Sequence, residues 1–385
     1  MSTSPVKVLF VNHTSCVGGA EHSLVELIHG IDRSRFTPAA VVPGPGELAD
    51  ALQGADVEVR FAAVSMIKRP SGPLDMVSTL RRVKRVIPEL QSCIEQSGAA
   101  IVHANSTTAQ IYAGPAAARA RISSVWHCRD LVDIGVAGYW LARKRPHVIC
   151  VSRAVARKLP RPIRERSSVH VILNGISTQR FETCGRREAV RAELGLGTGD
   201  QVVTMIAPLV PWKAHMRFLE MAAQVADAVP DTQFLVVGDD RFGHHPAYDG
   251  ELRETVRGMS IADKVHFTGH RDDVAAILEA SDIFVHPARR EPFGRVVVEA
   301  MAMALPVVAV DDAGPSEIVR HDEDGLLTDG SEAGLSAAVI RLLQDPETAA
   351  RLGTAARDRA RADFDVRRTV DEVQQIYESL AGARN

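Results

Sequence analysis

A parallel α/β architecture built on two Rossmann-like sheets is the fold class this sequence predicts. Three observations predict it: short β-branched runs bounded by turn residues, helical patterns between successive runs, and a length of 385 residues, too great for one ordinary core. In the first half the runs place strands at Val6–Val11, Ala39–Val42, Val57–Phe61, Ile101–His103, Ser124–His127, Val148–Val151 and Val169–Ile172. In the second half they place strands at Val202–Ile206, Gln233–Val237, Val265–Thr268, Ile283–His286 and Val307–Val310. Between the halves, Asn174 to Asp200 turns polar, with Gly185, Gly195, Gly197 and Gly199 around a short helical stretch. The expected division is a first domain over residues 1–180, a linker over 181–200, a second domain over 201–362 and a terminal segment over 363–385 with a helical pattern at Asp363–Leu380. In open parallel sheets ligands bind outside the carboxyl ends of the strands, so the chemistry is sought there.

Composition narrows the class. Apolar residues make up 45% and charged residues 24%, as in a soluble globular protein, and a net charge of −3 lacks the basic excess of a nucleic-acid binder. Cys16, Cys93, Cys128, Cys150 and Cys184 are scattered, odd in number and without a Cys-x-x-Cys pair. They point to a reducing compartment with small buried thiols rather than a disulfide framework or a zinc site. The opening MSTSPVKVLFVNHTS has neither the length nor the cleavage site of a signal peptide, and no stretch approaches the roughly 18 apolar residues that span a bilayer. A cytoplasmic location is expected.

The most informative segment is Glu291-Pro292-Phe293-Gly294, followed by Glu299 and Ala300-Met301-Ala302. Two bare glutamates on an exposed helix are common. Here a glycine and a helix start lie between them, so two carboxylates and free backbone N–H groups meet at a helix entrance. Hydroxyls suit the carboxylates and phosphates suit the positive helix end, which together describe a sugar nucleotide. Gly18-Gly19 stands between the first strand and a helix over Glu21–Ile31, where backbone can approach a ligand closely. Lys213, at the outlet of the strand Val202–Ile206 and just before a helix beginning near His215, can set a point charge on a diphosphate. His127 closes a strand, a position open to a satisfied core histidine or to a ligand contact. His244-His245 has no third ligand at a useful spacing, so no metal is expected. Arg81-Arg82-Val83-Lys84-Arg85, with Met76, Leu80 and Val83 on another face, could lie on an anionic membrane; an ordinary amphipathic surface helix is the reading adopted.

The wording EPFGRVVVEAMA resembles the paired-glutamate motif of retaining glycosyltransferases of family 4, and the resemblance runs from about Val8 to Leu327. Gly18-Gly19-Ala20-Glu21, Ala313-Gly314-Pro315-Ser316-Glu317 and Gly325-Leu326-Leu327 are similar to further motifs of that family. The resemblance implies the GT-B fold, two Rossmann-like domains facing each other across a cleft, with the terminal helix crossing back to the first domain. It implies a nucleotide-diphosphate sugar as donor, no cofactor and no metal. The implied catalytic residues are His127, reaching the donor sugar, with Lys213 and Glu291. Implied for donor binding are Gly18, Gly19, Gly238, Phe293, Gly294 and Arg295, with Glu299 on the ribose and backbone near His270 and Arg271 on the base. Glu21, Asp130 and Asp133 fall on the acceptor side. One departure is Pro208, which stands where the family carries a diphosphate-binding arginine; Arg295 and Arg289 are the candidate substitutes.

The function implied is transfer of a hexose or N-acetylhexosamine, with UDP-N-acetylglucosamine or UDP-glucose favoured over GDP-mannose. The acceptor expected is a small polar molecule such as an aminocyclitol antibiotic core, because Asp130 and Asp133 would suit a cation. A lipid-linked or envelope glycan with GDP-mannose, and an inactive sugar-nucleotide-binding homologue, are the alternatives.

Overall fold

The computed structural model describes residues 4–67, 71–131, 135–241, 243 and 245–382. The chain forms two compact units, Met1–Gly175 with Val366–Asn385, and Ile176–Asp365. In the first unit the order is β1 (Val6–Val11), α1 (Gly19–Gly30), β2 (Phe36–Val42), α2 (Glu47–Gln53), β3 (Glu58–Phe61), α3 (Pro73–Ser97), β4 (Ile101–Ala104), α4 (Thr107–Arg119), β5 (Ser123–Cys128), α5 (Gly135–Ala142), β6 (His147–Cys150), α6 (Arg153–Lys158), α7 (Arg161–Arg166) and β7 (Ser168–Val171). The seven strands pair in parallel as β3-β2-β1-β4-β5-β6-β7. Successive residues of β1 serve opposite faces, as the period of two in a strand requires. Val8 and Phe10 pack with α1 and α2, while Leu9 and Val11 pack with α3 and α4.

The second unit contains α8 (Arg187–Glu193), β8 (Gln201–Ile206), α9 (His215–Ala228), β9 (Thr232–Val237), α10 (Tyr248–Arg257), β10 (Val265–Gly269), α11 (Val274–Ala280), β11 (Ile283–His286), α12 (Arg295–Ala302), β12 (Val307–Val310), α13 (Pro315–Ile318), β13 (Leu326–Thr328), α14 (Glu332–Gln344) and α15 (Pro346–Asp363). Its parallel order is β10-β9-β8-β11-β12-β13. All twelve expected strands are present. The thirteenth, β13, was not anticipated because three residues are too few to display a period.

Two boundaries differ from the sequence-based division. Residues 181–200, expected as a linker, are built into the second unit, where α8 packs on α11. Buried Arg191 anchors them: it donates to Ala280 O at 3.0 Å, Asp200 O at 2.9 Å and Asp282 Oδ2 at 2.7 Å. At the other end, the helical pattern breaks at Phe364 and Asp365, and α16 (Val366–Gly382) belongs to the first unit. Its Val370, Val373, Ile376, Tyr377 and Leu380 fill the core beside α1. A Cβ at Gly30 would stand 2.6 Å from Val370 Cγ2, so the close approach of α1 to α16 depends on that glycine.

The thiols also differ in part from expectation. Cys128 and Cys150 are buried and Cys16 and Cys93 half-buried, but Cys184 is exposed and donates to Glu279 Oε2 at 2.9 Å.

Candidate functional site

In the second unit the chemistry collects at the carboxyl ends of β8 and β11. β11 ends at His286 and the turn beyond it carries Glu291, while β8 leads into a short 3-10 turn, Pro211–Lys213. Lys213 Nζ donates to Glu291 Oε2 at 2.6 Å, and His286 Nε2 lies 3.5 Å from the same oxygen. Trp212 places its ring 4.1 Å from the Lys213 ammonium, a cation–π contact. Burial would raise the Glu291 carboxyl, but the Lys213 charge and the His286 contact outweigh it and bring it down to about 2. Glu291 is therefore a carboxylate at neutral pH.

Backbone geometry fixes that turn. Gly294 adopts φ +104° at the start of α12, a conformation that favours glycine. Gly314 N–H donates to Glu291 O at 2.9 Å, and Arg290 N–H donates to Asp312 Oδ2 at 3.0 Å. Phe293 is buried and meets Phe364 edge-on, 6.3 Å between centroids, so it anchors the turn. On α12, Arg295 Nε donates to Glu299 Oε1 at 2.7 Å. Of the two substitutes considered for the residue at Pro208, Arg295 is thus held by Glu299, and Arg289 donates to Asp329 O. Arg217, on the first turn of α9, donates to Pro287 O at 2.7 Å beside His286; the sequence reading did not single it out.

Three strand ends are knitted together next to Lys213. Gly238 N–H bonds Gly269 O at 2.9 Å, Ala207 N–H bonds Val237 O at 2.9 Å, and Leu209 N–H bonds Asp239 O at 2.9 Å. A Cβ on Gly238 would stand 2.0 Å from Ala207 O, so only glycine permits this approach. The side chains beyond are otherwise engaged. Arg271 pairs with Glu193 on α8 and holds Asp273 through two bonds of 2.8 Å, and these carboxylates push its pKa still higher than that of an ordinary guanidinium. His270 is at the surface, with Asp272 Oδ1 at 3.1 Å and Arg241 beside it. What these two positions leave for a ligand is backbone.

In the first unit, His127 stands one residue before the end of β5, fully buried, and its Nε2 has no partner among the described residues. Its Nδ1 lies 3.2 Å from Arg129 Nη2 and 3.2 Å from His103 Nε2, and His103 Nδ1 lies 2.6 Å from Tyr377 Oη. One assignment of protons satisfies all three contacts. A guanidinium can only donate, so His127 Nδ1 accepts; His103 Nε2 must then donate, its Nδ1 is bare, and Tyr377 donates to it. Burial, then the Arg129 charge, keeps both imidazoles neutral, His103 down to about 3, and burial holds the Tyr377 hydroxyl protonated. His127 therefore carries its proton on Nε2. It is a hydrogen-bond donor, not a base.

The network extends to the Gly-Gly turn. Arg129 donates to Asn105 Oδ1 at 3.0 Å and Asn174 Oδ1 at 2.8 Å; Asn105 Nδ2 donates to Asn12 Oδ1 at 3.1 Å; Asn12 Nδ2 donates to Glu21 Oε1 at 3.2 Å. Glu21 in turn accepts the Gly18 N–H at 3.1 Å, and a Cβ built on Gly19 would meet nothing within 4 Å. His13 bonds Ser106 Oγ at 3.0 Å; burial lowers its pKa against the opposing pull of Glu21 and Asp130. Gly18, Glu21, His127 and Asp130 are thus gathered at the ends of β1, β4 and β5. Asp133 lies outside the described residues.

Residues not anticipated from sequence are His286, Arg217, His13, His103, Asn12, Asn105 and Tyr377. For His13, His103 and His286 a signal existed, a polar residue within or just past a strand; Tyr377 carried none. Among the described residues no cluster of His, Cys, Asp and Glu could hold a metal ion, and no helix is long and apolar enough to cross a membrane. His244 lies outside the described residues.

Known proteins are similar to this chain. The profile described as Glycosyltransferase Family 4 matches residues 17–180, and that described as Glycosyl transferases group 1 matches residues 186–359. The chain is 30% identical to the lipopolysaccharide core biosynthesis mannosyltransferase LpsB of Rhizobium meliloti, over 63% of this chain and 68% of that one. It is 32% identical to a D-inositol 3-phosphate glycosyltransferase of Rhodococcus erythropolis, over 55% of this chain but 49% of the relative. Among solved structures, Anabaena HepE in complex with UDP and glucose matches with a TM-score of 0.80 and 26% identity over 98% of this chain and 99% of that one. The fold is that of a GT-B sugar transferase. This chain belongs to glycosyltransferase family 4 and is a glycosyltransferase.

Proposed function

We propose that the protein transfers a hexose or N-acetylhexosamine from a UDP-sugar with retention of anomeric configuration. The observation that carries this reading is the partly buried Lys213–Glu291 pair, 2.6 Å apart beside the N-terminus of α12. Glu291, ionised, would hold donor-sugar hydroxyls. Lys213 and the first N–H groups of α12 would stabilise the diphosphate as the bond from the anomeric carbon to its oxygen breaks, a role of several kcal/mol by analogy with oxyanion-type sites. The acceptor oxygen forms its bond on the same face, and its proton passes to the departing phosphate oxygen. UDP and a glycoside result, with no side chain needed as base. His127, donating through Nε2, would orient a sugar hydroxyl.

The UDP choice is supported by HepE, whose solved complexes contain UDP and UDP-glucose. A thermal-shift comparison of UDP and GDP at equal concentration tests it. A ligand at one hundred times its dissociation constant adds about 2.7 kcal/mol to the native state, which is readily seen. A shift with GDP and none with UDP would overturn the choice.

For the acceptor, a small cationic molecule such as an aminocyclitol rests on Asp130, which faces His13. A second reading, an envelope or lipid-linked glycan, has its own support in LpsB and in a GDP-mannose-dependent phosphatidylinositol monomannoside mannosyltransferase of Corynebacterium glutamicum, 32% identical over 50% of this chain. Changing Asp130 to Asn separates the two: a weaker apparent affinity for aminocyclitols with unchanged UDP binding supports the first.

A further inference from the structure

The apolar stripe of α3 runs past the body it packs on. Val83, Val86, Ile87, Leu90 and Ile94 are buried against the sheet and α4. At helical spacing the same stripe continues back to Leu80 and Met76, which are 53% and 51% exposed, with Leu74 at 87% and Val77 at 44% beside them. Six of the nine exposed large apolar side chains among the described residues fall between Phe61 and Leu80, a concentration that marks an interaction surface.

Cations adjoin this patch. Arg81, Lys84 and Arg85 are exposed on the next turns of α3, and no carboxylate among the described residues pairs with them. The nearby acid, Asp75, is engaged by Ser71 and Ser78. α3 packs on α4, α4 on α5 and α5 on α7, so the same side of the sheet also presents Trp140, 37% exposed, followed by exposed Arg143, Lys144 and Arg145. The net charge of −3 conceals a division. The first unit has 25 lysines and arginines against 16 aspartates and glutamates, a net +9, and the second has 20 against 32, a net −12.

We propose that this side of the first unit docks on an anionic phospholipid surface. The first turns of α3 enter the headgroup layer with Leu74, Met76 and Leu80, and Arg81, Lys84 and Arg85 meet lipid phosphates. Charge complementarity selects this occupant. A second copy docking face to face would set two cationic patches against each other, and a nucleic acid would match the cations but leave the apolar turns in water. A bilayer interface takes both features. The inference goes beyond the transfer reaction and stands whichever donor or acceptor is used. It replaces the reading of this helix as an ordinary surface helix.

The test is sedimentation of the full chain with vesicles of phosphatidylcholine alone or with about one third phosphatidylglycerol. Binding about tenfold tighter to the anionic vesicles, weakened by salt, is expected. The variants Leu74→Ser/Leu80→Ser and Arg81→Glu/Lys84→Glu/Arg85→Glu should each weaken it about tenfold, with the melting temperature and the UDP-induced shift unchanged. Equal binding to both vesicles, no binding, or full binding by either variant overturns the proposal. So does retention on duplex DNA, or dimerisation lost with Leu80→Ser, in the absence of vesicle binding.

Discussion

Tyr377 and His103, 274 positions apart in the chain, meet at 2.6 Å between hydroxyl and Nδ1, and this contact closes the series of bonds that leaves His127 protonated on Nε2. The terminal helix thereby braces the imidazole that packs against His127 on β5, while Arg129 fixes the tautomer.

The first prediction concerns that relay. In Tyr377→Phe the bare Nδ1 of His103 loses its donor, at a cost of about 1–3 kcal/mol in stability for a buried unsatisfied group. Turnover should fall about tenfold as His127 loses its fixed orientation. Nitrogen chemical shifts of the His127 ring decide the assignment directly: a proton found on Nδ1 in the wild-type protein would refute it.

Glu291→Gln keeps the shape of the side chain and removes its charge. Turnover with a UDP-sugar should drop about a hundredfold or more, while the melting temperature falls by only a few degrees. Transfer at the wild-type rate by Glu291→Ala would sink the role given to this carboxylate.

Two glycines should respond in opposite ways. Gly238→Ala forces a Cβ to within 2.0 Å of Ala207 O at φ +135°, so the second unit should lose about 3 kcal/mol or more, or fail to fold. Gly19→Ala meets open space on a helical residue and should leave stability equal or slightly higher, by about 0.5–1 kcal/mol. If a ligand approaches the turn at Gly19, the same variant loses activity without losing stability. Full activity would show that nothing comes close there.

Stability should fall with acid before any carboxylate titrates. When folded, His103 is neutral down to about pH 3, but when unfolded it binds a proton near its ordinary value of about 6.5. Between those values the unfolded chain holds the extra proton, so stability is full above about pH 6.5 and declines as pH drops, by about 1.4 kcal/mol per pH unit for each such histidine. His127, also lowered, steepens the slope. Glu291 has a depressed carboxyl, so its contribution is lost only below about 4.5, as pH falls toward about 2. Urea unfolding of the first unit, followed by the fluorescence of buried Trp126, checks the slope between about pH 7 and pH 5.5. His103→Gln should flatten it by one proton; an unchanged slope would contradict the assignment.

Local pattern was enough to determine much of this protein. Strand runs such as Val6–Val11 and Ile283–His286 are legible because a few β-branched residues bounded by turns have one way of burying themselves. The segment from Glu291 to Glu299 is legible because a glycine and a helix start must occur at that spacing for two carboxylates to meet free N–H groups. What tertiary structure decided is the partner of each polar group. Arg271 and Arg295 read alike as basic residues near strand or helix ends, yet one is spent on Glu193 and Asp273 and the other on Glu299. Residues 181–200 read as a linker from their glycines, but Arg191 finds three carbonyls and a carboxylate on the second unit and ties them down. Tyr377 reached His103, and Leu80 remained exposed while Val83 on the same stripe was buried, because long-range packing sets where a helix face ends against its neighbours. Periodicity states which residues share a face; only the folded chain states what that face touches.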